Sequence, residues 1–265
     1  MKTAIVVPAR YASTRYPAKP LASLRGADGN AKPLIQRSWE AALAVPDVAR
    51  VIVATDDARI AEVARGFGAD VAMTPEDCAN GTERCAAVLP LLDGIDVVVN
   101  LQGDAPLTPA PFVTALVAAM AQGRTVEVAT PALRASPELH ARLLADQAAG
   151  RVGGTTAAVA ANGDALYFTK AVIPHVGAGR LGDPTLPVFF HVGCYAYTPA
   201  ALKSYAITPA GPLESLEGLE QLRFLERGMP VRVVEVTASG YDIWELNNPE
   251  DVAPIEAALK ARGID

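Results

Sequence analysis

The chain has 265 residues, 51% of them apolar and 20% charged, and a formal net charge of −6. That length can bury one large α/β core or two closely fused lobes, and the acidic balance argues against a nucleic-acid binder, which would present a basic face. Cys78, Cys85 and Cys194 fit neither a disulfide framework nor a zinc site, no apolar run reaches transmembrane length, and no signal-peptide pattern is visible, so a cytoplasmic protein without membrane insertion is expected.

In chain order, strand and helix signals alternate. Thr3–Val7 is a β-branched run that reads as a buried strand. Pro33–Val45 predicts a helix with proline in its first turn. Val51–Ala54 predicts the next strand, followed by Asp56-Asp57 and the amphipathic Arg59–Phe67. Val71–Met73 predicts a short strand, and Thr82 a cap for a helix running to Leu92. Asp96–Leu101 predicts a strand buried on both faces, because Val97-Val98-Val99 has no polar alternation. A helix over Pro109–Met120 and a strand near Val126–Pro131 follow. This β-α-β-α order predicts an α/β fold with a mixed, mainly parallel sheet and helices on both faces. Ligands of such sheets sit beyond the carboxyl ends of the strands. Arg10, Asp56 and Asp104 each follow an apolar strand and can share one rim.

The second half changes character. Thr155–Val159 and Ala165–Phe168 flank Asn162-Gly163 and predict a hairpin. Phe189–Tyr197 predicts a strand whose alternation places His191, Gly193, Tyr195 and Tyr197 on one face. Leu213–Arg227 predicts one amphipathic helix closed by Gly228. Its stripe of Leu213, Leu216, Leu219 and Leu222 would be buried, with Glu217, Glu220 and Gln221 sharing another face. Val231–Val236 predicts a strand and Pro249–Arg262 a terminal helix. Ala135–Gly154 and Gly177–Pro187 read as irregular excursions that close over a substrate or form a dimer contact.

Charge is focused at the start. The first 27 residues hold five cations and no acid, which leaves about −11 on the remainder. Arg10, Arg15 and Lys19 lie in a loop of small residues after the first strand. Backbone N–H groups there can approach phosphates while fixed cations neutralise them, which suits a nucleoside triphosphate; a basic surface loop has the same composition. Asp104 stands where a buried strand stops at Gln102-Gly103. A carboxylate there can hold Mg²⁺ against phosphate oxygens or serve as a turn cap. Gly81-Thr82-Glu83-Arg84 opens a helix whose N-terminus favours anions, with Arg84 reaching a nucleotide or pairing with Glu83. The His191–Tyr197 face contacts a sugar or packs as core. No Walker phosphate loop, dinucleotide-binding glycine fingerprint, serine nucleophile elbow or Asp-x-Asp pair is present.

Together these segments resemble the CMP-Kdo synthetase family, the 3-deoxy-manno-octulosonate cytidylyltransferases. The matching pieces are Pro8-Ala9-Arg10-Tyr11-Ala12-Ser13-Thr14-Arg15, Lys19-Pro20-Leu21, Gly81-Thr82-Glu83-Arg84, Asn100-Leu101-Gln102-Gly103-Asp104, Ala165-Leu166-Tyr167-Phe168, His191-Val192-Gly193 with Tyr195 and Tyr197, Leu219-Glu220-Gln221-Leu222-Arg223, and Asn248-Pro249-Glu250-Asp251. They occur in family order and span nearly the whole chain. The resemblance implies a Rossmann-like nucleotidyltransferase fold in a single domain. Residues 1–110 would mainly bind CTP, and residues 111–265 would mainly serve the sugar and dimerisation. It implies transfer of CMP from CTP to a 3-deoxy-2-keto sugar acid, for cell-surface polysaccharide such as lipopolysaccharide, by a homodimer. Ala9, Arg10 and Lys19 would hold the triphosphate, and Arg84 and Gln102 would lie near the nucleotide. Asp104 would hold Mg²⁺, while Lys170, His191, Tyr195, Glu220 and Gln221 would face the sugar acid.

The departures from the family pattern cluster near sugar and metal. Ala18 stands where the family has Gly, Ala105 where it has Glu, and Lys170 where it has Arg. A lysine neutralises a carboxylate but cannot grip it with a fork. Asn247 falls where the family has its second metal-binding Asp, and Glu245 or Asp242 can supply the charge instead. Two other readings stay open: activation of another sugar acid, such as an amino-Kdo or a nonulosonate, and a non-catalytic nucleotide-binding paralogue.

Overall fold

The computed structural model describes residues 1–12, 16–122, 126–238 and 245–265. Strand β1 (Thr3–Ala9) buries all seven of its residues. Its alternate side chains enter two cores, Ala4 and Val6 on one face, Ile5 and Val7 on the other, and this two-sided burial is why the run shows no polar alternation. A small antiparallel hairpin, β2 (Ser23–Arg25) and β3 (Ala31–Pro33), leads into helix α1 (Leu34–Leu43). Then come β4 (Val48–Thr55), α2 (Ala58–Gly66), β5 (Asp70–Met73), α3 (Gly81–Val88), β6 (Val97–Leu101) and α4 (Ala110–Ala121). Strands β5-β4-β1-β6 form a parallel block in that order. Asp57 caps α2 by accepting the Arg59 N–H at 2.9 Å.

The chain continues through β7 (Val128–Arg134), α5 (Pro137–Ala148), β8 (Thr156–Val159), β9 (Ala165–Thr169), β10 (Phe189–His191), β11 (Cys194–Tyr197), α6 (Pro199–Ala206), α7 (Pro212–Glu217), α8 (Leu222–Glu226), β12 (Arg232–Val236) and α9 (Val252–Ala261). Antiparallel β11 joins β6 to β7, so one sheet of ten strands runs through the described residues. Strands β8 and β9 form the predicted hairpin, and β12 lies parallel to β7. Helices α1, α2 and α4 pack on one face of the sheet and α3, α6 and α8 on the other, which is the mixed α/β architecture expected. Helix α9 covers a third core of Leu24, Leu34, Leu107 and Leu246.

Three expectations are corrected. The helix predicted over Leu213–Arg227 is two helices, because Gly218 adopts φ 61° and ends α7; a left-handed residue there is cheap only for glycine. The leucine stripe therefore splits, and Leu216 is 83% exposed. The cap of α3 is Asn80, whose side chain accepts the Glu83 N–H, while Thr82 is wholly buried against Tyr197. Within the excursion read as irregular, Pro137–Ala148 is helical, capped by Ser136. Further along the chain, Phe189 is buried and Phe190 packs against Gly154.

Candidate active site

Two cavities open at the carboxyl ends of β1 and β6 and share Gln102, Asp104, Gly218 and Glu220 in their walls. The first, about 540 Å³, is lined by Ala9 at the end of β1, by Arg10 and Lys19 after it, by Arg84 on α3, and by Glu214 and Arg223. The second, about 1250 Å³, is lined by Lys170, His191, Tyr195, Gln221, Glu245 and Asn247 among others. Arg15 and Asp242 lie outside the described residues.

The turn after β6 places Asp104. Gly103 N–H donates to the Pro8 carbonyl at 3.2 Å, and a methyl at Gly103 would lie 2.5 Å from that oxygen; only glycine lets the two strand ends approach this closely. Asp104 then meets Lys19, with Nζ donating to Oδ2 at 2.5 Å. The Asp104 carbonyl accepts the Leu246 N–H at 2.8 Å, which ties segment 245–248 to the same turn. Asp104, Glu245 and Asn247 therefore line one cavity with oxygen donors, a donor set that fits Mg²⁺. No group of three His, Cys, Asp or Glu side chains with metal-holding geometry is found among the described residues.

Lys19 is delivered by a strained loop. Ala18 has φ 57° and ψ 21°, a left-handed conformation that costs a non-glycine residue about 1–2 kcal/mol. Glycine's larger unfolded-state entropy offsets roughly 0.4–1 kcal/mol of any gain. Ala18→Gly is thus expected to raise the melting temperature by about 1–4 °C. An unchanged or lowered Tm in calorimetry would show that the loop stores no such strain.

Arg84 is buried in the wall of the first cavity, paired with Asp56 at 3.1 Å and hydrogen-bonded to Thr74. Gln102 donates to Glu220 at 3.3 Å, and Glu220 also accepts the Thr82 N–H at 2.8 Å. Burial pushes the Glu220 carboxyl above the usual range, against the pull of the Thr82 bond. The break at Gly218 is what brings Glu220 to this point. Tyr195 donates to Gln221 Oε1 at 3.0 Å, and the Gln221 Nε2 is buried without a partner among the described residues. Lys170 is exposed, with its N–H bonded to Glu217.

His191, Tyr195 and Tyr197 do stack along one face, with ring centroids 5.5 and 5.9 Å apart. His191 Nε2 lies 2.8 Å from Thr130 Oγ1, which is also 2.8 Å from the Cys194 carbonyl. The hydroxyl has one proton and the carbonyl can only accept, so the arrangement satisfying both puts the hydrogen on Nε2 of a neutral imidazole. Burial lowers the His191 pKa to about 3. The unfolded chain therefore binds one more proton than the folded chain between about pH 6.5 and pH 3. His191 contributes its full stability above pH 6.5 and loses it as pH falls through that window. Between pH 6.5 and 4.5 the loss is about 2–3 kcal/mol. Wild type should show a steeper acid-side fall in Tm than His191→Gln, and parallel profiles would refute the assignment.

Several wall residues were not anticipated. Glu214 and Arg223 form a buried bidentate pair at 2.6 and 2.7 Å, and Arg223 also reaches Glu83 at 2.9 Å. Asn80 was legible as a cap from the Asn-x-x-Glu spacing of Asn80 and Glu83. Arg142 on α5 lines the larger cavity, and its sequence neighbourhood gave no sign of that.

A parallel strand block with cations and a carboxylate at its carboxyl edge, opening into a second polar cavity, is the layout of an α/β nucleotide-binding enzyme. The cytidylyltransferase family model matches residues 4–233. The chain is 41% identical over 264 residues to a 3-deoxy-manno-octulosonate cytidylyltransferase of Maricaulis maris, covering 99% of each chain. It is 38% identical to the enzyme of that name from Zea mays, covering 98% of this chain and 81% of that one. Among solved structures, a CMP:2-keto-3-deoxy-manno-octonic acid synthetase complexed with CTP superposes with a TM-score of 0.82 and 33% identity, covering 97% of this chain and 98% of that one. The chain belongs to the cytidylyltransferase family.

Proposed function

We propose that the protein transfers CMP from CTP to the anomeric hydroxyl of a 3-deoxy-2-keto sugar acid, 3-deoxy-manno-octulosonate (Kdo), and releases pyrophosphate. The observation that carries this reading is the pair of cavities meeting at Gln102, Asp104 and Glu220, supported by full-length similarity to enzymes of that name. CTP would fill the smaller cavity with its phosphates against Arg10 and Lys19. The sugar acid would fill the larger one. The anomeric oxygen would then face the α-phosphorus at the shared wall, where the new P–O bond forms and the bond to the pyrophosphate oxygen breaks. Catalysis of this kind rests on alignment and charge neutralisation rather than on a covalent nucleophile.

Asp104 and Asn247, with Glu245 beside them, would hold Mg²⁺. The ion would supply a Lewis acid that offsets charge developing on phosphate oxygens. Lys19 holds the Asp104 carboxylate at Oδ2. Glu220 orders Gln102 and the start of α3, so Glu220 acts first as a positioning residue for the nucleotide side. Among the described residues no helix is long and apolar enough to cross a membrane. We place the enzyme in the cytoplasm as a homodimer on the strength of the resemblance; sedimentation as a monomer at micromolar concentration would count against the dimer.

Pyrophosphate release tests the reading, using CTP and UTP against Kdo, an amino-Kdo and a nonulosonate. Release with CTP and Kdo is expected. Backbone acceptors that satisfy the cytosine amine would be left unpaired by uracil, at about 1–3 kcal/mol per lost bond, so UTP should turn over about five- to a hundredfold more slowly. Release with another acid alone would reassign the substrate. Nucleotide binding without turnover across the panel would favour a non-catalytic role.

A further inference from the structure

A sugar acid carries a carboxylate next to its anomeric carbon, and the cavity proposed to hold it is acidic. Its described walls include Asp104, Asp146, Glu220, Glu245 and Asp251, and its cations are Lys170 and Arg142. A carboxylate entering such a cavity needs a fixed cation. Lys170 provides one, but its ammonium is a point charge, and it lies over Gly218: a methyl there would sit 3.1 Å from Nζ. Gly218 lines both cavities, so the Lys170 charge stands at their junction, beside the shared wall.

Arg142 stands on another wall of the cavity, on α5. That helix is firmly placed. Ser136 caps its start, accepting the Leu139 N–H. Gln147 near its end accepts the Val172 N–H at 2.6 Å, which ties the helix to the segment just after Lys170. Arg142 and Asp146 are four residues apart and share a face, and both line the cavity. Asp146 is already engaged, its Oδ1 accepting from Arg151 Nε and Nη2 at 3.0 and 2.6 Å. The Arg142 guanidinium has no hydrogen bond or ion pair with another described residue. An exposed arginine on a helix is ordinarily a solvated surface charge. This one is a guanidinium without a counter-ion among the described residues, in the wall of a cavity whose five carboxylates outnumber its two cations, on a helix braced at both ends.

We propose that Arg142 grips the carboxylate of the sugar acid with its guanidinium fork and so sets the enzyme's preference for acids over neutral sugars. This assignment rests on the sugar-acid reading above. It accounts for the presence of Lys170 where the family has arginine: the bidentate contact comes from α5 instead, and Lys170 adds charge at the junction. Because Arg142 would touch the carboxylate and neither the attacking oxygen nor the phosphorus, the contact is equal in ground and transition states and appears in KM for the sugar acid rather than in kcat.

The test is steady-state pyrophosphate release by the full chain with CTP and Kdo. Arg142→Ala should raise KM for Kdo by about ten- to a hundredfold, the range of a charge-assisted pair, with KM for CTP within about twofold. Arg142→Lys should recover part of the loss, since it restores charge without the fork. The carboxamide of Kdo supplies the second readout: with it, wild type and Arg142→Ala should have the same KM. Arg142 is exposed and unpartnered, so the variant should melt within about 2 °C of wild type. A KM for Kdo unchanged in Arg142→Ala, or a loss equally large with the carboxamide, overturns the assignment while the cytidylyltransferase reading stands. Absence of turnover by the wild-type chain with every sugar acid overturns both.

Discussion

Asp104→Ala is expected to lower turnover by about a thousandfold or more at saturating CTP and sugar acid. Loss of a ligand to a Lewis acid removes several kcal/mol of charge stabilisation, and each 1.36 kcal/mol is about a factor of ten in rate. The fold should survive. The Asp104 contact that ties segment 245–248 in place is made by its carbonyl, at 2.8 Å from the Leu246 nitrogen, and alanine keeps that carbonyl. The side-chain pair with Lys19 is only partly buried and borders the open cavity, so its loss costs less than the roughly 3–5 kcal/mol of a fully buried pair. Asn247→Asp is the companion variant. One carboxylate with a neutral amide leaves more positive charge on a bound Mg²⁺ than two carboxylates do, so the ion should fill mainly once phosphate oxygens join it. Asn247→Asp should keep activity and lower the Mg²⁺ concentration for half-maximal rate. Near-normal turnover by Asp104→Ala would remove the metal assignment. An Asn247→Asp enzyme with unchanged Mg²⁺ dependence would move the second ligand to Glu245.

What could be read beforehand follows from how each segment is stabilised. Strands β1 and β6 were legible because both faces are buried, and Val97–Leu101 and the seven residues of β1 have no exposed position. The cationic loop and Asp104 were legible because they follow those strands. The α7–α8 break was not. Leucines at Leu213, Leu216, Leu219 and Leu222 continue a helical period across Gly218, and periodicity does not reveal that one glycine takes a positive φ. Helix α5 was missed because few of its residues are buried, His140 and Leu143 among them, so its apolar stripe is thin. The Ser136-Pro137 start carried the signal instead. Arg142 was illegible for a related reason: an exposed arginine has no pattern, and only the fold shows which space it faces.

The second large effect is structural. Arg223→Met is expected to lower Tm by about 6–20 °C, since breaking a buried pair by removing one partner costs about 3–5 kcal/mol and a chain of this size shifts by about 2–4 °C per kcal/mol. Arg223 and Glu214 are 4% and 7% exposed, and the guanidinium satisfies Glu214, Glu83 and the Thr208 carbonyl together. Among the described residues, removing it leaves the Glu214 carboxylate with the Tyr205 hydroxyl and a weak contact from the Asn80 amide. The loss should reach the nucleotide as well. Asn80 caps α3 and donates to Tyr205 at 2.9 Å, Arg223 stacks on that ring, and α3 begins in the wall of the smaller cavity. Adding Glu214→Gln removes the stranded charge and should recover at least half of the lost Tm. It should leave KM for CTP raised, because neither neutral side chain anchors α3 through Glu83. Arg223→Lys separates charge from geometry: it keeps a cation but cannot span Glu214 with two bonds and Glu83 with a third, so it should fall between wild type and Arg223→Met. A Tm within about 2 °C of wild type for Arg223→Met would show that the network is solvated in solution and does not hold the nucleotide wall.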